Sequence, residues 1–382
     1  MKGWRQWLAA ALLCVGSTMA LAHKPSDSYL TLRQAPQGTS IDGQWDISLR
    51  DLEHAVGLDV DGDGRITWGE LKARRTALTE YALARLSIEV VARGDRESCR
   101  VQPRGLLFDE HVDGGYAVLR FSADCPFRAA QLAIHYALFF ELDPNHRGLL
   151  SVSAAAHAGP DRRQARVLAD AGRTATINLG APDRQAQFRA FLDEGVWHIW
   201  KGYDHILFLL MLLLPAVVTF RDGHWEARES VHDATLDVIK VVTAFTLAHS
   251  ITLSLAVNGW VNLPSRVVES VIALTVLLGA INNLVPLVRE RRWVVAFVFG
   301  LIHGMGFASV LSDLGLTGWN LTLALVGFNL GVEAGQLAIV LLFMPCACAL
   351  RGTRFYRHAF MPAGALAIGV IATYWLVVRA AG

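Results

Sequence analysis

GVWHIWKGYDHILFLLMLLLP, Gly195 to Pro215, is the stretch that divides this chain. Its second half is a run of large aliphatic residues of the kind that enters a bilayer. Its first half carries His198, Asp204 and His205 to the edge of that run. Charge and imidazole are expensive in hydrocarbon, so ionisable residues kept there mark a functional site. Before Gly195 the chain reads as soluble, and after Pro215 come five more apolar spans. The six spans read as 197–220, 236–257, 267–288, 293–314, 319–342 and 360–379. Each is near the ~20 residues that cross a bilayer as a helix.

Composition agrees. The chain has 382 residues, 53% of them apolar and 18% charged, with a net charge of +1. That balance gives no electrostatic footprint for nucleic acid. The first 22 residues read as a signal peptide: Lys2 and Arg5 are the basic start, Trp7 to Val15 the apolar core, and Ala20-Leu21-Ala22 the cleavage site. The expected organisation is a signal peptide over 1–22, an exported domain over 23–190 and a six-helix transmembrane domain over 191–382. Arg221, Arg228, Arg289, Arg291, Arg292, Arg351, Arg354 and Arg357 fall in the connections on one side. The positive-inside rule makes that side cytoplasmic. This predicts a bacterial inner-membrane protein with its N-terminal domain and C-terminus on the periplasmic side. Self-association is compatible with the sequence but carries no signature in it.

In the exported part, Asp59 to Glu70 reads DVDGDGRITWGE and fits an EF-hand calcium loop. Asp59, Asp61 and Asp63 stand at positions 1, 3 and 5, and Gly64 permits the sharp turn at position 6. Arg65 offers its backbone carbonyl, Thr67 stands at position 9, and Glu70 supplies a carboxylate at position 12. Hard oxygen donors on a short loop suit Ca²⁺, here as a staple. Ser48 to Val56 and Leu71 to Leu86 have helical spacing on either side. HKPSDSYLTLRQ at the start, LSIEVVA, GYAVLRFSA, AAQLAIHYALF and GLLSVSAAA read as strands of a small β-sandwich. Cys99 and Cys125 are placed to form one disulfide in an oxidising compartment. His111, His135 and His146 show no ligand spacing and read as surface or strand residues.

In the membrane half, polar residues recur on separate spans. His198, Asp204 and His205 lie on the first, His249 on the second, Glu269 on the third, His303 on the fourth and Glu333 on the fifth. A bundle can converge such groups on one site. Imidazole suits Ni²⁺, Co²⁺, Zn²⁺ or Cu²⁺, and carboxylates can complete the shell. On a regular helix His198 and His205 lie about 10 Å apart along the axis, so the expectation is that they do not share an ion. Asn329 and Glu333 share a helix face, with Gln336 close to it. The small residues Gly300, Gly304, Gly306, Ala308, Gly327, Gly331 and Gly335 are expected to let helices approach.

These residues resemble the HupE/UreJ family of membrane proteins, in the long form with an exported domain before the bundle. His198-x5-Asp204-His205 is similar to that family's first-helix motif, and His303-Gly304 matches part of its second histidine motif. The earlier histidine of that second motif is absent, and Gly306 stands where an acid would. The resemblance implies nickel or cobalt uptake. A metal-dependent intramembrane hydrolase, with Glu269 or Glu333 as general base, is the alternative. A structural or sensory membrane protein is a third reading. No Walker loop is present, which argues against direct use of ATP.

Overall fold

The structure is a computed structural model that describes residues 26–35, 38–92, 95–111, 114–153, 163–180 and 183–381. The signal peptide read at 1–22 lies outside the described residues.

The N-terminal part folds as two sheets around one core. Strands β1 (Asp27–Gln34) and β2 (Ser40–Ser48) pair antiparallel. Helices α1 (Leu49–Val56), α2 (Trp68–Ala73) and α3 (Arg75–Leu83) follow, flanking the acidic loop. Strands β3 (Leu86–Ala92), β4 (Asp95–Ser98), β5 (Arg100–His111), β6 (Gly114–Asp124), β7 (Gln131–Tyr136), β8 (Arg147–Ser153), β9 (Gln164–Leu168) and β10 (Thr174–Asn178) complete it. The six-stranded sheet runs β5-β6-β2-β1-β8-β9, with β1 and β8 parallel; the four-stranded sheet runs β10-β7-β3-β4. Alternation along β2 puts Ile41, Trp45 and Ile47 into the core beside Leu30, Leu32 and Phe121. Gly43 faces the Phe121 ring, where any Cβ would collide with it.

The reading of β1, β3, β6, β7 and β8 matches strands, whereas β2, β4, β5, β9 and β10 come from the structure. Strand β5 escaped because Pro103 and Gly105 interrupt its pattern. It is an edge strand with a register shift between those two residues, the place where a sheet tolerates proline. Cys99 and Cys125 form a disulfide, and closing a loop of that length contributes about 3 kcal/mol.

His146 is corrected: it is fully buried in the sandwich, not at its surface. Its ring bonds the Ser26 hydroxyl on one side and the Tyr136 hydroxyl at 2.5 Å on the other. Tyr136 in turn bonds Ser28, which accepts from the Trp45 indole. Burial and the neighbouring Arg147 charge push the His146 pKa down to about 3, so it serves the network as a neutral ring.

The C-terminal part is helical: α4 (Arg184–Lys201), α5 (Tyr203–Leu213), α6 (Val231–Val257), α7 (Ser265–Leu284), α8 (Arg292–His303), α9 (Ala308–Asp313), α10 (Gly318–Leu350) and α11 (Met361–Ala381). Of the six expected spans, the first and the fourth are divided into shorter helices. Among the described residues, four helices are long and apolar enough to cross a membrane: α6, α7, α10 and Tyr356–Ala381, which contains α11. The first expected span breaks at Gly202, whose backbone is extended (φ −78°, ψ 95°) between α4 and α5. It also stops short, because β11 (Val218–Arg221) and β12 (His224–Ala227) form a hairpin. Asp222 and Gly223 both take positive φ there, the Asp-Gly turn that suits such a hairpin. The fourth expected span ends at His303, unwinds through Gly304 to Phe307, and resumes as α9.

Glycines on α10 bring it against α4: Gly327, Gly331 and Gly335 lie on backbone atoms of Phe188, Leu192 and Val196. Gly300 and Gly304 do the same for α8 against Phe245 and His249 of α6. The sandwich seats directly on one end of the bundle, called here the sandwich side. Tyr29, Tyr116, Leu149 and Ala165 from the strands share a buried cluster with Phe191, Phe307, Leu311 and Phe328. The Ser151 hydroxyl donates to the Leu314 carbonyl at 3.1 Å across this boundary. The arginines gather at the opposite, far side. Arg228 and Arg292 pair with Asp237 at 3.2 and 3.9 Å, and Arg351 and Arg357 bond backbone carbonyls of Arg228 and Trp225.

Candidate metal centre

Three helices and one break build the site. Helix α4 begins at Asp183, whose side chain accepts from the Ala186 N–H at 2.8 Å, and delivers His198 to its last turn. The chain then kinks at Gly202, and α5 starts with Asp204 and His205 in its first turn. The kink overturns the expectation that His198 and His205 stand too far apart to share an ion. Their ring centroids are 4.6 Å apart. His249 of α6 closes the group, with its ring centroid 6.3 Å from that of His198. One ligand atom from each of the three lies within 4.8 Å of the others. Gly202 fits where little else would, since a Cβ there would meet the His198 carbonyl at 2.7 Å and His205 Nδ1 at 2.9 Å.

Hydrogen bonds fix which nitrogen is available. The Asp204 carboxylate can only accept, and its Oδ1 stands 3.1 Å from His205 Nδ1, so that nitrogen carries the proton. Asn329 spends its amide N–H on the Leu325 carbonyl at 2.8 Å. Its Oδ1 therefore accepts from His249 Nδ1 at 3.2 Å. Both rings keep a bare Nε2. The Nε2 atoms of His198, His205 and His249 are all buried without a hydrogen-bond partner. Orphaned buried acceptors are costly, and three that converge fit a soft-to-borderline divalent cation held by imidazoles. Carboxylate or amide partners behind ligand histidines are the usual second layer of such sites.

The other expected ligands are placed differently. Asp204 stands behind His205 and outside the three-ligand group. His303 lies next to that group, its ring 5.3 Å from His205, and its Nε2 is 3.1 Å from the Thr275 hydroxyl. Glu333 sits one turn along α10 from Asn329. One of its oxygens accepts from the Thr243 hydroxyl at 2.9 Å, and the other is buried without a partner. Glu269 lies outside the three-histidine group, accepting from Ser265 at 2.7 Å and facing Arg379 at 4.0 Å.

On the sandwich side the site is roofed. Phe307 and Phe328 stack with centroids 4.4 Å apart and planes 4° apart, and both rings contact His198. Above Phe307, at 5.5 Å, lies the Arg147 guanidinium of β8. Arg147 bonds Asp27 of β1 at 2.8 and 2.7 Å and Glu194 of α4 at 2.5 Å. Burial alone would lower the Arg147 pKa, but the two carboxylates raise it instead, so the ion pair persists. Sequence reasoning missed this roof and Thr275. The available signal was Gly202 itself, an isolated glycine inside a helical pattern.

In the N-terminal part the acidic loop is exposed. Carboxylate oxygens of Asp59, Asp61 and Asp63 lie within 4.8 Å of one another. Gly62 and Gly64 take positive φ of 75° and 79°, and the Gly64 N–H donates to Asp59 at 2.9 Å. Glu70 is turned back onto α2 as a cap. Its carboxylate accepts from the Thr67 N–H and hydroxyl and the Val60 N–H, each at 2.8 Å. Those bonds, led by the Thr67 N–H, hold its pKa down to about 2.

Among curated proteins no match to this chain is found. The family model described as HupE / UreJ protein matches residues 174–379, a stretch that holds all of α4 to α10 and nearly all of α11. It covers more than half of the chain and every histidine of the buried group. This chain is a membrane protein of the HupE/UreJ family, a family associated with nickel and cobalt transport.

Proposed function

We propose that this protein is an inner-membrane permease for Ni²⁺ or Co²⁺, with the histidine group as its binding site. The observation that carries this reading is the set of orphaned Nε2 atoms on His198, His205 and His249. Asp204 and Asn329 fix the tautomer of two of these rings, and the three residues bring one ligand atom each to within 4.8 Å of one another. Neutral nitrogen donors without a carboxylate in the group bind a borderline cation in preference to Mg²⁺ or Ca²⁺. Such a set also holds an ion less tightly than a thiolate site, which suits a cargo that must leave. The hydrolase reading requires an acid facing the group as general base; Glu269 is bonded to Ser265 and Glu333 gives one oxygen to Thr243, and neither belongs to the three-histidine group. In this reading the sandwich and the C-terminus are periplasmic, and the arginine-rich far side is cytoplasmic.

The acidic loop complements this as a Ca²⁺ staple outside the membrane. Asp59, Asp61 and Asp63 already cluster, Arg65 offers its carbonyl, Thr67 stands at the ninth position, and Glu70 joins them by rotating off its cap.

Ion uptake into liposomes tests the assignment. Wild-type protein is expected to carry Ni²⁺ or Co²⁺, and His249→Ala to carry neither. A wild type that retains bound metal stoichiometrically, yet moves none, sinks the permease reading.

A further inference from the structure

The roof over the histidine group is carried by a segment of its own. Between α8 and α10 the chain runs from Gly304 to Thr317, unwinding as far as Phe307 and then coiling as the short α9. Phe307 precedes the first residue of α9 and supplies one of the two stacked rings that meet His198. The backbone around it is loosely tied. The Ala308 N–H reaches the Met305 carbonyl at 3.3 Å, and the Leu311 N–H reaches the Phe307 carbonyl at 3.5 Å; both exceed the usual range. Glycine stands near both ends: Gly306 just after α8, and Gly315 turning the chain at a φ of 59° after α9. Positions of this kind absorb the dihedral change of a moving segment.

The sandwich grips this segment along its length. Arg147 lies over the Phe307 ring at 5.5 Å, His111 stands 3.3 Å from Asp313, and the Ser151 hydroxyl donates to the Leu314 carbonyl at 3.1 Å. Leu311 and Leu314 are buried in one cluster with Tyr29, Tyr116 and Leu149. The helices below make a firmer frame, since α4 and α10 meet backbone to backbone at Gly327 and Gly331. Beside the site, Arg147 ties the sandwich to that frame. It bonds Asp27 of β1 twice and reaches across to Glu194 of α4 at 2.5 Å. Glu194 stands four residues before His198, one turn away on the same face of α4. At the other edge the Asn320 amide donates to the Arg163 carbonyl at 3.0 Å, which joins sandwich and bundle at the start of α10.

We propose that residues 304–317 are a lid over the histidine group, that the sandwich is the handle that lifts it, and that the Arg147–Glu194 pair is the latch that holds it shut. When the pair parts, Arg147 keeps Asp27 and leaves with the sandwich. Phe307 then leaves His198, and the group opens toward the sandwich side. An ion pair suits a latch, because the parted groups regain the hydration they lost on burial. The guanidinium also sets a positive charge above the closed entrance, which opposes a second cation there until the lid takes it away. The inference rests on the histidine group as the ion-binding site and adds how that site is reached.

The experiment uses the full-length protein and Co²⁺ alone as probe. Stopped-flow absorption reads entry, transfer to excess EDTA reads release, and hydrogen exchange reads the amides of residues 305–316 in the absence of metal. A lid scales entry and release by one factor, the open fraction, and leaves affinity unchanged. Glu194→Gln is expected to speed both by about 10- to 100-fold, since a charge-assisted bond is lost, and amide exchange over 305–316 should rise with them. Gly306→Ala is expected to slow both by about 2- to 5-fold, because a Cβ there fits at 3.4 Å from its neighbours and stiffens the hinge. Unchanged rates in Glu194→Gln, or in Gly306→Ala should Glu194→Gln fail to fold, overturn the lid and leave the histidine site standing. So does a changed Co²⁺ affinity in Glu194→Gln, which would make Glu194 part of the site itself. A wild type that binds no Co²⁺ overturns the three-histidine site, and the lid as its gate with it.

Discussion

The two polar sites of this molecule are built in opposite ways. The acidic loop draws its donors from a dozen consecutive residues, keeps them in water and uses hard oxygens. The histidine site draws its donors from α4, α5 and α6, buries their free nitrogens and uses imidazole. In the loop, spacing along the chain is the geometry, and glycine at positive φ does the bending. In the bundle, spacing along the chain misleads, because one break at Gly202 changes which residues meet. A local site tolerates changes anywhere else in the protein, whereas a converged one depends on every helix that frames it.

The sharpest way to break that comparison is Gly202→Ala. A Cβ at this position meets the His198 carbonyl and His205 Nδ1, and alanine favours continuing the helix through the break. We expect Co²⁺ affinity to fall on the order of 100-fold, with helical circular dichroism and detergent-solubilised elution unchanged. His198→Ala should cost a similar amount, and the double variant little more than either single one, since both remove the same ligand. Additive losses would mean that the kink serves something other than bringing His198 to His205.

Glu70→Gln asks whether the loop behaves as the local, independent partner in this pair. It removes one charge from the coordinating set and weakens the cap on α2, so Ca²⁺ affinity should drop on the order of 10- to 100-fold by isothermal titration. Co²⁺ binding in the bundle should not change. A carboxyl held down at about 2 contributes its cap fully above its ordinary value of 4.5 and loses it as pH falls toward 2. The wild-type loop should therefore fray only in strong acid, and loss of Co²⁺ binding on removing Ca²⁺ would show that the two sites are coupled after all.

The same contrast explains what the sequence made legible. The cluster of Asp59, Asp61 and Asp63 follows from their spacing along the loop, and α1 falls where its spacing put it, whereas the helix read over Leu71 to Leu86 is split into α2 and α3. In the bundle, residue types were readable while their partnerships were not. His198, His205 and His249 were named, yet only the kink reveals that they form the group, because helical periodicity assumes an unbroken axis. Glu269 looked like a ligand by depth, and the contact that removes it comes from Arg379 in the last helix, too far along the chain for any spacing rule. The sandwich–bundle boundary was illegible for the same reason. Arg147, Asp27 and Glu194 are scattered across the sequence, and only parallel pairing of β1 with β8 brings two of them side by side.

That boundary offers the subtlest test, through a histidine that showed no ligand spacing and read as a surface or strand residue. His111 at the end of β5 lies between Asp46 of β2, 3.4 Å from Nε2, and Asp313 of α9, 3.3 Å from Nδ1. It packs on the rings of Tyr29 and Tyr116, which lie in the cluster joining sandwich to bundle. Burial alone would lower its pKa, but the two carboxylates outweigh it and raise the ring to about 10. A raised value means that folding favours the proton. The stabilisation is then whole below the ordinary 6.5 and is lost as pH climbs through about 10. His111→Gln should cost about 1 kcal/mol at pH 6, read as a lower melting temperature and faster proteolysis of the sandwich from the bundle. Between pH 7 and 10 the wild-type advantage should shrink toward zero, whereas the Arg147 ion pairs, charged throughout, should show no such slope. A constant difference across that range would mean that His111 joins the two halves as a neutral ring, and that their docking is as insensitive to pH as the apolar cluster beneath it.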